Sequence, residues 1–103
     1  MVSLANEDNT VILEGLRQKY RDIVWRYFHG NTDRAVKEFV EEAFSHHLAV
    51  SDIIKIHAEL MESLARQLKI EGRNPDILLD YRLTLIDVIA HLCERYRRSL
   101  ADS

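Results

Sequence analysis

Between Glu71 and Arg98, EGRNPDILLDYRLTLIDVIAHLCERYRR, the only helix breakers are Gly72 and Pro75, and both stand at the start. Gly72 can end one helix, Asn74 can cap the next, and Pro75 suits a first helical turn. The rest predicts one unbroken helix of roughly 25 residues, about 38 Å long at 1.5 Å per residue. On a helical wheel Asp80, Thr84, Asp87, His91 and Glu94 fall 4, 3, 4 and 3 residues apart and form a narrow polar stripe. Two apolar sides flank it. One carries Leu78, Tyr81, Leu85, Val88, Ile89, Leu92 and Tyr96; the other carries Leu79, Leu83, Ile86, Ala90 and Cys93. A helix on the outside of a small domain needs one apolar face. The second predicts a contact beyond the domain, with Leu79, Leu83, Ile86 and Ala90 in a homodimer interface. Two-fold closure is the commonest solution for a self-complementary face.

Upstream, Ile12, Leu16, Tyr20, Ile23 and Tyr27 recur at helical spacing, with Leu13, Val24 and Phe28 widening the stripe, and predict a helix over 9–28. Gly30 is expected to end it in a left-handed conformation, and Asn31, Thr32 or Asp33 to cap the next helix, over 33–44. That helix turns Val36, Phe39, Val40, Ala43 and Phe44 inward. After a short connection over 45–50, Ser51 is expected to cap a third helix over 52–70, with the stripe Ile53, Ile56, His57, Leu60, Met61, Leu64 and Leu68. Residues 1–8 are expected to be a flexible tail and 9–103 one domain. Four amphipathic helices on short connections, with three glycines and one proline in 103 residues, predict an all-α four-helix bundle.

Charge and composition narrow the function. A net charge of −3 and a pI near 5.9 argue against general nucleic-acid binding. Arg95, Arg97 and Arg98 fall at a helix C-terminus, where cations complement the macrodipole; a phosphate contact is the other reading. The single cysteine, Cys93, fits a reducing compartment and is expected to be a buried structural thiol. MVSLANEDNT lacks the basic and apolar regions of a signal peptide, and no run approaches the length of a membrane span. A cytoplasmic protein without membrane contact is expected.

Catalytic chemistry finds little support. No Glu-x-x-His pair occurs, so a bundle di-metal site is not expected, and His46-His47 reads as a polar loop. Cys93 and His91 stand two apart on one helix and point to different faces, which rules out a thiolate–imidazole pair within the chain. Glycine-rich phosphate loops and nucleophile elbows are lacking. His57, on an apolar stripe, is expected to be a hydrogen-bonded core histidine. Neither enzyme activity nor a cofactor is expected. The polar stripe leaves two readings open: a solvated face, or a groove for a mixed polar and apolar peptide in which His91, between Asp87 and Glu94, orients a hydrogen bond. Phe44 and Arg73, assigned to the bundle end, are a second candidate surface.

These residues also carry a resemblance. IHAELME, QLKIEGR and DILLDYRLTLIDVIAHLCE followed by YRR, with weaker agreement through KYRDIVWRYF and KEFVEEAF, resemble the C-terminal domain of the KaiA family of cyanobacterial circadian clock proteins. The resemblance implies a four-helix bundle that forms an intertwined homodimer. It also implies binding of the C-terminal tail of the clock kinase KaiC in an extended form, which promotes KaiC autophosphorylation, and later sequestration by a KaiB–KaiC complex. The histidine of the family's IAHLCE segment matches His91 and belongs to the KaiC-binding surface; Asp87 and Glu94 match neighbouring positions. Longer members carry an N-terminal pseudo-receiver domain ahead of this bundle, whereas this sequence starts just before the first helix, so a short form is expected. The Ser45-His46-His47 connection departs from the more hydrophobic family pattern. An alternative is a generic helical dimerisation adaptor, similar to the N-terminal domains of some phosphatase regulators.

Overall fold

The computed structural model describes residues 2–27 and 29–101, with side chains from Thr10 onward. Four α-helices follow in order: α1 (Val2–Arg26), α2 (Asp33–Ser45), α3 (Val50–Ile70) and α4 (Arg82–Ala101), with a 3-10 helix, Pro75–Tyr81, leading into α4. The described residues contain no strand. α1 starts ahead of the expected Asn9 because neither glycine nor proline occurs before Gly15. The expected contribution of Phe28 lies outside the described residues.

The helices alternate in direction. Tyr20 meets Phe39 across α1 and α2 at 5.7 Å between ring centroids, and Phe44 meets Tyr96 across α2 and α4 at 5.0 Å. α4 packs most extensively on α2. The core takes Leu16, Tyr20, Ile23 and Val24 from α1, Val36, Phe39, Val40 and Ala43 from α2, Ile53 and Ile56 from α3, and Val88 and Leu92 from α4. Each set repeats at three- and four-residue steps, so each helix gives the core one stripe.

At the centre the Tyr20 hydroxyl lies 2.7 Å from His57 Nδ1, so His57 is the hydrogen-bonded core histidine expected. Burial pushes its imidazole below the ordinary value of 6.5. The unfolded chain then takes up the proton more readily. The stability tied to the neutral ring is complete above the unfolded value and is lost as pH falls from there through the lowered folded value. Urea midpoints measured from about pH 7.5 to about pH 5 should therefore decline. His57→Gln, which keeps a partner for Tyr20 without titrating, should flatten that decline.

Helix ends follow local chemistry, with several departures from expectation. α2 closes with His47 N–H donating to Phe44 O at 2.9 Å and Leu48 N–H to Ala43 O at 3.0 Å, which places His47 at a left-handed φ of 58°. That position favours glycine. His47→Gly is expected to raise stability by about 0.5–1 kcal/mol, read as a higher urea midpoint at unchanged slope. α3 closes in the same way around Gly72, whose φ is 69°, with Arg73 N–H donating to Leu68 O at 2.8 Å. Gly30, by contrast, does not adopt positive φ. The turn after α1 forms through His29 N–H to Arg26 O at 3.0 Å and Asp33 N–H to Asn31 Oδ1 at 2.9 Å. Ser51 lies inside α3 and does not cap it; the cap position is Ala49, two residues earlier, whose N–H donates to the Asp52 carboxylate at 2.8 Å.

The largest correction concerns the last helix. Its first seven residues form the 3-10 helix Pro75–Tyr81. Pro75 has no N–H to give, and Asn74 Oδ1 takes Asp76 N–H at 2.9 Å, which tightens the turn. With three residues per turn, Leu78 and Tyr81 eclipse and both turn partly inward. Asp80 consequently leaves the phase of the stripe that runs along α4.

Candidate partner-binding surface

The middle of α4 assembles the polar group. His91 Nδ1 lies 2.8 Å from the Asp87 carbonyl oxygen and 3.1 Å from Asp87 Oδ1, one helical turn away. Asp87 Oδ2 accepts from the Tyr27 hydroxyl at 3.3 Å, a long contact that ties the end of α1 to α4. Burial first, and then the Asp87 charge and hydrogen bond, push the Tyr27 phenol above its ordinary value. The side chains of His91 and Asp87 are 38% and 28% exposed, so a docking molecule can reach both.

The rest of the stripe divides. Thr84 is fully buried, and among the described residues its Oγ1 has no hydrogen-bond partner. Its burial puts it on the packed face of α4 and not in an open seam. Glu94 is exposed and engaged by Arg97, whose Nε donates at 3.0 Å and holds the carboxyl below the ordinary carboxylate range. Asp80 is exposed on the 3-10 helix. The structure thus brings Asp87 and His91 together and adds Tyr27. Sequence reading missed Tyr27 as part of this group because its spacing marks it only as a core position of the first helix.

The two apolar sides of α4 and of the 3-10 helix ahead of it differ in burial. Val88 and Leu92 are buried, and Tyr81, Leu85, Ile89 and Tyr96 pack against the core. On the opposite side Leu79, Leu83 and Ile86 are 55%, 52% and 62% exposed, and Ala90 is exposed. Cys93 is also exposed, which corrects the expected buried thiol: it shares the outward face of α4 with Ile86 and Ala90. Within α4 the outward positions Leu83, Ile86, Ala90, Cys93, Arg97 and Leu100 repeat at 3, 4, 3, 4 and 3 residues, the spacing of a helix-packing seam.

Phe44 and Arg73 lie at opposite ends of the bundle. Phe44 is half-buried near the start of α3, with Arg95 Cζ 3.9 Å from its ring centroid. Arg73 follows the end of α3, roughly 30 Å away along that helix. It sits on the rim of a pocket of about 140 Å³ whose lining includes Trp25, Leu64, Leu68, Ile77 and Tyr81. Of the basic cluster, Arg95 also pairs with Glu41 at 2.8 Å, so two of its three arginines are occupied within the chain. Among the described residues no group of three or more histidine, cysteine, aspartate or glutamate side chains could hold a metal ion. No described helix is long and apolar enough to cross a membrane.

Comparison with known proteins gives this surface its context. The KaiA C-terminal domain model matches residues 1–103. The chain belongs to the KaiA family. It is 57% identical over 97 residues to the circadian clock oscillator protein KaiA of Thermosynechococcus vestitus, covering 90% of this chain and 34% of the relative. It is 44% identical over 97 residues to the KaiA of Nostoc sp., covering 90% of this chain and 93% of that protein. The chain therefore spans about a third of the length of the longer relatives it matches. The crystal structure of the C-terminal domain of Thermosynechococcus elongatus KaiA superposes with a TM-score of 0.79 at 54% identity, covering 86% of each chain. The crystal structure of KaiA from strain PCC7120 superposes at 0.76 and 40% identity, covering 85% of this chain and 91% of that one. Both likenesses support the bundle described above, and the relatives' names place the family in the circadian clock.

Proposed function

We propose that this chain acts as a homodimer that binds the C-terminal tail of the clock kinase KaiC and stimulates KaiC autophosphorylation. One observation carries the reading: α4 presents a bare apolar seam beside a histidine already oriented by Asp87. The seam is the place for the second copy, through Leu79, Leu83, Ile86 and Ala90. The shape supports this, since the Cα radius of gyration of 15.0 Å exceeds the roughly 13 Å of a compact domain of this length, and the protomer is only 19 Å deep. The tail then lies along the polar side of α4, contacting His91 and Asp87, with Glu94 and Asp80 beyond them. Phe44 and Arg73 stand as alternative contact points at the two ends.

Activation follows from binding alone. A partner that holds only the extended tail shifts the kinase toward its active state by the difference in binding free energy between the two tail conformations. No catalytic group or cofactor is required of this chain, and the protein works in the cytoplasm. A KaiB–KaiC complex that sequesters the dimer would end the stimulation. Purified protein mixed with KaiC and ATP should raise KaiC phosphorylation above that of KaiC alone. An unchanged level defeats the proposal and favours a helical adaptor with a different protein partner.

A further inference from the structure

The contacts of His91 determine which of its nitrogens carries the proton. Nδ1 faces two oxygens, the Asp87 carbonyl at 2.8 Å and Asp87 Oδ1 at 3.1 Å. The carbonyl oxygen can only accept, so Nδ1 must be the N–H donor. A neutral imidazole carries one N–H, and Nε2 is then left with its lone pair. Nε2 has no hydrogen-bond partner among the described residues, and it is not one of the buried unpartnered atoms, so solvent reaches it. The second Asp87 oxygen is occupied by the Tyr27 hydroxyl at 3.3 Å, which restrains the carboxylate that orients the ring.

We infer that Asp87, steadied by Tyr27, holds His91 as its Nδ1–H tautomer, so that Nε2 is an outward-facing acceptor and the peptide segment docking on α4 presents a hydrogen-bond donor to it. That donor is a backbone N–H, a hydroxyl or a cationic side chain, and not a carbonyl or carboxylate. This deepens the reading of the same surface given above and rests on it for the identity of the peptide. The tautomer itself does not depend on any partner. Tyr27 is a positioning residue here: it reaches the peptide only through Asp87.

Nitrogen-15 NMR of the imidazoles in the free protein, in alkaline buffer, tests the tautomer directly. His91 should show a protonated Nδ1 and an unprotonated Nε2; a protonated Nε2 overturns the inference whatever the protein binds. Tyr27→Phe should mix the two tautomers at His91, leave the His57 signals in place, and weaken binding of a KaiC C-terminal peptide about 2- to 10-fold. An unchanged His91 spectrum in Tyr27→Phe removes Tyr27 from the role. The donor assignment is read from His91→Lys, which can only donate. It should bind the peptide no better than His91→Ala, and recovery of affinity above His91→Ala overturns the assignment. If the wild type binds no peptide at all, the docking reading and the donor assignment fall together, while the spectrum still decides the tautomer.

Discussion

Ile86→Asp is expected to convert the proposed dimer into monomer or aggregate. Ile86 is the most exposed of the large residues on the inner stretch of the α4 seam, at 62% in the lone chain, and Leu83 and Ala90 stand one turn on either side. Burying four or five such side chains contributes roughly 1.5–3 kcal/mol each before association entropy is subtracted. An unpaired carboxylate in that dry contact costs about 3–5 kcal/mol, more than a hundredfold in dimer affinity. Light scattering at micromolar concentration reads the result. A wild type that is already monomeric there would mean that the exposed seam is covered by something other than a second copy.

His91→Ala is expected to weaken binding of the KaiC tail strongly while leaving helicity unchanged. The side chain is only partly buried and its hydrogen bonds stay within one turn of α4, so its removal opens no core cavity. Loss of a buried interfacial hydrogen bond costs about 1–3 kcal/mol, or roughly 5- to 150-fold in affinity. Fluorescence anisotropy with a labelled tail peptide, alongside circular dichroism, measures both. Charge reversal at Asp87 should weaken binding as well, through the lost orientation of His91. At Glu94 the effect should be smaller, because Arg97 already occupies that carboxylate. Equal affinities for wild type and His91→Ala would return the stripe to a solvated face.

Periodicity made most of this legible. The two apolar sides of α4 were readable because each repeats at three and four residues, and the structure buries Val88 and Leu92 while leaving Leu83 and Ile86 bare. His57 was readable because a histidine within an apolar stripe needs a polar partner, which Tyr20 supplies. Geometry that depends on tertiary packing or on backbone phase was not. The 3-10 entry to α4 follows from Pro75 and the Asn74 cap together, and it rotates Asp80 away from a stripe drawn on a 3.6-residue wheel. Thr84 looked like part of an open seam because its neighbours at four and three residues are acidic, yet it is fully buried in the bundle. Tyr27 joins Asp87 across 60 residues, a contact that no local pattern encodes. The Schellman turn at His47 was hidden because the residue there is not the glycine such a turn favours.

The central claim, that the kinase tail docks along the polar side of α4, is tested most directly by titrating unlabelled KaiC C-terminal peptide into the nitrogen-15-labelled protein and following the backbone amides. Saturable shifts are expected over residues 84–94 of α4 and at Tyr27, where the Asp87–His91 pair is tied to the end of α1. Shifts confined to the Phe44–Tyr96 end or to the pocket beside Trp25 and Ile77, or no shifts at all, would contradict it.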